Sequence, residues 1–422
     1  MVASGKGVPK AHLTCFQPDG QATMTTRRGI LRTATGTLVA SLLPGCSAPG
    51  RGAPVPIGSS QSATVLGLPN ERFFILSGTE GLEAEFMAAA ERQRRARGLK
   101  SVSELDVDVL AVSGGGEDGA FGAGLLCGWS ERGDRPEFFL VTGVSTGALT
   151  APFAFLGPAY DAQLRHVYTE IKPDDVLRDR GLTAALFDDA LADNAPLFGT
   201  ISKMLDERML ADIAAAYDSG RLLLIGTTDL DAQQPVIWNI GAIAKSGHPR
   251  ALETIRRVLL ASAAIPGAFP PSMFDVTLGD KKYQEMHVDG GAFAQSFLYP
   301  ASMTVNRRRR MAAHQRVARA EAYVIRNGRL DPSWAEVRRE MLGIAGRAIS
   351  TMITASGFND VVRIYYNAVS DGIDFNLAYI GRDFDKKLPS PFDQGYMRAL
   401  FDYGLAKGKA GYAWAKRPPA MG

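Results

Sequence analysis

From residue 106 onward, short apolar runs alternate with helical stretches, and this alternation constrains the chain more than any other feature. A short apolar run bounded by turn residues reads as a buried strand. Strands separated by helix-length segments pair in parallel, because a parallel connection has to cross the sheet. The runs at 107–112, 138–143, 222–227, 236–240, 285–288 and 321–325 are the expected strands. Together they predict an α/β fold, a mainly parallel sheet covered by helices on both faces in three α/β/α layers. Ahead of it, 81–97 reads as a helix with Leu82, Phe86 and Met87 on its apolar side and a charged end.

At 422 residues and 46% hydrophobic content, the chain can bury a large core. Its net charge of +3, from 47 basic and 44 acidic side chains, gives no bulk drive toward nucleic acid. Cys15, Cys46 and Cys127 match neither a disulfide framework nor zinc-ligand spacing. No metal and no cofactor is expected. The run Arg307 to Arg310 is expected as a solvated loop.

Residues 26–46 read as an export signal: the twin arginine Arg27-Arg28, a short apolar run, then Leu43-Pro44-Gly45-Cys46. The apolar run falls short of the ~20 residues needed to cross a bilayer. The ending is similar to a lipoprotein box, with Cys46 as the lipidated residue and Met24 as the better start. The expected location is therefore the bacterial cell envelope, anchored to a membrane surface at the periplasmic face. The Ser, Gly, Pro and Ala-rich segment that follows is expected as a tether over 47–75, and the folded domain over 76–418.

Three motifs carry chemistry. Ser113-Gly114-Gly115-Gly116 follows an expected strand and opens into a helix, so backbone N–H groups can converge on an anion. Gly119, Gly122 and Gly124 loosely resemble a dinucleotide turn but lack its glycine order, and no P-loop lysine is present. Taken alone, the segment is as well explained by a tight, closely packed turn. Gly143-Val144-Ser145-Thr146-Gly147 lies between a strand and a helix, the context in which a sharp turn lifts a serine hydroxyl clear of the backbone as a nucleophile. Met286-His287-Val288-Asp289-Gly290-Gly291 places Asp289 at a strand end before a turn. A serine needs a neighbouring base. Among His12, His166, His248, His287 and His314, only His314 comes late enough for the serine, acid, histidine order, and its setting reads as surface. Asp289 could take the proton directly if burial raises its pKa. His287 is expected to be a structural neighbour.

In this order the three motifs resemble those of the patatin-like phospholipases, from about Asp106 to about Tyr403. The segment Ala261-Ser262-Ala263-Ala264-Ile265-Pro266-Gly267-Ala268-Phe269-Pro270-Pro271 is similar to one that family members carry between the two catalytic motifs. The resemblance implies a Ser-Asp dyad of Ser145 and Asp289, an oxyanion loop of Gly114, Gly115 and Gly116, and a lipid ester as substrate. The sequence departs from the family at one place, where Asp118 stands in the loop position usually held by arginine. A carboxylate there opposes an oxyanion unless it is paired or turned away. Two other readings stand beside this one: a catalytically idle lipid-binding envelope lipoprotein, and a Ser-His-Asp esterase using His314.

Overall fold

The structure of the protein, a computed structural model, describes residues 50–179, 190, 192–419 and 421. The Arg27-Arg28 signal and Cys46 lie outside the described residues. The sheet is formed by β1 (Arg72–Phe73), β2 (Val107–Val112), β3 (Leu140–Val144), β4 (Leu222–Asp229), β5 (Gln234–Asn239), β6 (Ser272–Leu278), β7 (Lys281–Asp289), β8 (Ala320–Arg326) and β9 (Asp374–Tyr379). The main path runs β1-β5-β4-β3-β2-β8-β9, and the five strands from β4 to β9 along it are parallel. Strands β1, β5, β6 and β7 pair antiparallel.

Alternate residues of the central strands enter two separate cores, as the period of two along a strand requires. Leu110 and Val112 of β2, Leu223 and Ile225 of β4, and Ile325 of β8 face one way. Val109 and Ala111, Leu222 and Leu224, and Val324 face the other. The first core is covered by α2 (Gly119–Arg132), α3 (Thr146–Leu156), α4 (Ala251–Ser262) and α7 (Gln394–Ala410). The second is covered by α1 (Glu80–Ala96) and the C-terminal part of α6 (Met341–Ser370). This is the three-layer α/β/α arrangement expected from the alternating pattern. Strands β6 and β9 were not anticipated. β6 alternates buried and exposed positions as a hairpin partner of β7, and its Pro-flanked start reads as loop.

Three details differ from expectation. Leu82 and Phe86 are buried, but Met87 is 55% exposed, because it lies off the buried stripe of α1. The segment expected to be a tether is packed: Arg51 pairs with Asp231, Thr64 bridges Thr277, and Ala63, Val65, Leu66, Phe73 and Phe74 are buried. The ordered body therefore begins well before residue 76. Arg307 to Arg310 are part of a helix, α5 (Val305–Ala312). Arg307 donates to the carbonyls of Asp371, Ala318 and Gly372, and Arg308 pairs with Asp371. Arg307 and Arg308 thus close the C-terminal end of α6, where the buried Asp371 carboxylate needs a cationic partner, while Arg309 is exposed. Among the described residues, no helix is long and apolar enough to cross a membrane.

Candidate active site

The sheet register brings Ser145 and Asp289 together. β4 pairs with β5 along one edge, from Leu224 to Asp229. Its other edge carries β3 as far as Gly226 and then β7 from Thr227 onward. Strands β3 and β7 therefore meet end to end, with Val144 opposite Gly226 and Asp289 opposite Thr227. The next residue after β3 is Ser145.

Ser145 has φ 56° and ψ −129°, a conformation that few non-glycine residues adopt and that costs of order 1–3 kcal/mol. The turn is enforced by close approach. A Cβ on Gly147 would lie 2.2 Å from the Val112 carbonyl oxygen, and one on Gly143 would lie 2.5 Å from the Gly147 oxygen. The Ser145 N–H donates to Ser262 Oγ at 3.0 Å, and Ser262 in turn donates to the Gly226 carbonyl at 2.6 Å. Ser262 ends α4, and Ala264, two residues on, accepts the Asp289 N–H at 2.9 Å. The segment between the two motifs thus braces both residues, a role that its sequence alone does not reveal.

Asp289 is 4% exposed, and desolvation pushes its carboxyl up to about 7. Hydrogen bonding from the Ser145 hydroxyl and from the Gly291 N–H, at 2.7 Å to Oδ1, pulls the other way and loses. The group is therefore poised to exchange a proton near neutral pH.

The glycine loop follows β2. A Cβ on Gly114 would lie 3.1 Å from Ser145 Cβ, so this residue packs directly on the serine. Its N–H is taken by the Gln295 carbonyl at 3.0 Å. Gly114 therefore cannot serve as the expected donor without breaking that bond. For the N–H of Gly115 and of Gly116, no acceptor is found among the described residues. Gly115 could not be any other residue, because its Cβ would come 2.0 Å from the Asn327 carbonyl oxygen. Thr146 opens α3, and a first helical N–H has no partner within its own helix. Three N–H groups, on Gly115, Gly116 and Thr146, thus belong to the two loops that flank the Ser145 hydroxyl.

Asp118 is paired. Its Oδ1 accepts the Tyr396 hydroxyl at 2.6 Å, and Arg326 and Arg329 act on it through space. Desolvation still holds its pKa above the usual carboxylate value. Tyr396 stands on the first turn of α7, which runs tightly against α2: a Cβ on Gly124 would meet the Phe401 carbonyl oxygen at 2.0 Å. Gly124 therefore serves helix packing, not a nucleotide.

His314 is exposed, on the turn that ends α5, and no partner for its ring is found among the described residues. His287 is completely buried. Trp238 donates to Thr227 Oγ1 at 2.8 Å, that hydroxyl shares a hydrogen bond with His287 Nδ1 at 2.9 Å, and His287 Nε2 lies 3.1 Å from the Glu285 carboxylate. Asp229, Glu285 and His287 carry ligand atoms within 4.8 Å of one another, the grouping most able to hold a metal. Glu285 is engaged by Arg72 as well as His287, whereas Asp229 Oδ2 is buried without a hydrogen-bond partner. Cys127 is buried, and desolvation pushes its thiol up to about 12, which leaves it unreactive at neutral pH.

Residues 110–301 match the family described as patatin-like phospholipase. No curated protein matches the sequence. Among solved structures, VipD from Legionella pneumophila is similar at 11% identity over 73% of this chain and 67% of that one, with a TM-score of 0.29. Lipid acyl hydrolysis is the activity that such a match supports in general. Within the chain, the match to the patatin-like phospholipase family is confined to residues 110–301.

Proposed function

We propose that this protein cleaves carboxylic esters of lipids through an acyl-enzyme on Ser145, with Asp289 as the base. The observation that carries the reading is the meeting of Ser145, on a strained turn at the end of β3, with the buried Asp289 carboxyl at the end of β7. In the first half-reaction, Ser145 Oγ attacks the ester carbonyl carbon as its proton passes to Asp289. The developing oxyanion is met by the N–H groups of Gly115, Gly116 and Thr146, each contributing ~3 kcal/mol to the transition state. Collapse of the adduct breaks the bond to the alcohol, which leaves with the proton from Asp289. Water then attacks the acyl-enzyme as Asp289 takes its proton; collapse of this adduct breaks the bond to Ser145 Oγ, releases the carboxylic acid and returns the Asp289 proton to Ser145. The pairing of Asp118 with Tyr396 removes the main argument for an idle site, and the exposed position of His314 gives no support to a histidine base.

Labelling by a fluorophosphonate tests the reading. Adduct on Ser145, lost in Ser145→Ala, is expected; an unlabelled serine in folded protein would sink it. We further propose an envelope location with lipid on Cys46. Mass spectrometry of the mature N-terminal peptide is expected to find an acylated Cys46, and an unprocessed N-terminus would contradict this.

A further inference from the structure

The arginine that the glycine loop lacks is supplied from another strand. β8 lies parallel to β2, with Ile325 opposite Val112 and the Ser113 N–H donating to the Ile325 carbonyl at 3.0 Å. Arg326 is the last residue of β8 and only 4% exposed. Its Nη1 donates to the Gly114 carbonyl at 2.8 Å and to Ser113 Oγ at 3.1 Å. Asn327 completes the grip. Its N–H reaches Ser113 Oγ at 2.9 Å, its Nδ2 reaches the Ser113 carbonyl at 2.9 Å, and its Oδ1 accepts the Gly122 N–H at 3.1 Å. Both residues lie beyond the stretch that matches the family.

We propose that Arg326 is a positioning residue for the oxyanion loop, holding the Gly114–Gly115 peptide so that the Gly115 N–H points to the Ser145 side. The proposal rests on the acyl-transfer reading above. In a trans peptide the C=O and the following N–H point in opposite directions. A carbonyl fixed on the guanidinium therefore directs the Gly115 N–H away from Arg326. Gly114 packs on Ser145, so a turn of this peptide would move the donor at the distance where an oxyanion forms. The bond is charge-assisted, and withdrawing density from the carbonyl makes the same peptide's N–H a stronger donor.

The surroundings of Arg326 set it apart from an ordinary salt-bridge staple. Among the described residues it makes no ion pair; Asp118 and Asp360 act on it only through space. Its side-chain hydrogen bonds all go to Ser113 and Gly114, and its buried Nε has no partner. The guanidinium packs against Gly357 of α6, where a Cβ would lie 2.8 Å from Cζ. A buried guanidinium without a direct ion pair is thus held behind the loop that must stabilise negative charge. Asp118, in the position where related loops usually carry arginine, is turned to Tyr396 and leaves this field in place.

The test is steady-state hydrolysis of a short nitrophenyl ester, together with the rate of Ser145 labelling by a fluorophosphonate, in the full chain and its Arg326→Met and Arg326→Lys variants. Arg326→Met is expected to lower kcat ~10- to 100-fold and to slow labelling in parallel, with KM within ~2-fold of wild type. Arg326→Lys keeps the charge and is expected to recover part of the loss. A folded Arg326→Met protein with wild-type kcat, or with a change confined to KM, overturns the proposal. If Arg326→Met does not fold, Arg326→Lys decides: unchanged kcat and labelling rate overturn the proposal, and a several-fold fall in kcat at constant KM supports it. Wild-type protein that fails to label at Ser145 brings down the acyl-transfer reading and this inference with it. Equal labelling of wild type and Arg326→Met brings down the inference alone.

Discussion

Ser145 and the glycine loop sit against each other, yet one is shaped by its neighbours in sequence and the other by residues far along the chain. The serine turn depends first on Gly143, which lets α3 approach β3, and on Gly147, which lets α3 approach the end of β2. The glycine loop has the necessary freedom but not, by itself, a direction. Its conformation is imposed by Arg326 and Asn327, 212 to 214 positions away from the Ser113 and Gly114 atoms they hold. A local motif can thus supply a nucleophile, while the electrostatics that make it effective are assembled by tertiary structure.

The contrast can be broken at either side. The largest effect is expected at the base: Asp289→Asn removes the proton acceptor and should lower kcat by ~10³-fold or more. The same change should stabilise the fold at pH 8. An aspartate with an unfolded value of 3.8 and a folded value of about 7 costs stability progressively as pH rises between them, and an amide carries no such cost. The gain is at most ~4 kcal/mol, read as a higher Tm at pH 8 than wild type and little difference at pH 4. Next comes Gly115→Ala, whose methyl would collide with the Asn327 carbonyl. It should displace the loop and reduce kcat ~10²-fold while Ser145 keeps its turn, a split visible as slow but complete labelling. Ser262→Ala, which takes the acceptor from the Ser145 N–H and the donor from the Gly226 carbonyl, should destabilise by ~1–3 kcal/mol in denaturant unfolding. Tyr396→Phe is expected to be mildest: Asp118 loses one hydrogen bond, with kcat falling only a few-fold if Arg326 still faces the loop.

How far the sequence could be read follows the same division. The alternating apolar runs located β2, β3, β4, β5, β7 and β8 to within a few residues; β2, β3, β4 and β8 read most plainly, because a buried parallel strand has to be nearly all apolar. The Gly-x-Ser-x-Gly and Asp-Gly-Gly segments fell where β3 and β7 end, and the register of β4 explains why those ends meet. β6 escaped notice, since half of its residues face water, and so did the packing of residues 51–75, whose Gly and Pro content reads as a tether. Ser262, Arg326 and Asn327 carried no local mark. Their partners lie across the fold, and only the structure shows that Arg326 spends its donors on the Gly114 carbonyl and not on a carboxylate.

The pairing of Ser145 with a carboxyl held near neutrality is most directly tested by the pH dependence of the fluorophosphonate labelling rate. The reagent carries no titrating group in this range, so the profile reports the base. The rate at Ser145 should rise as Asp289 loses its proton and level off above a midpoint of about 7, and Asp289→Asn should be slow and flat with pH. A wild-type rate that does not change between pH 5 and 9, or an Asp289→Asn protein that keeps both the rate and the midpoint, would contradict the dyad.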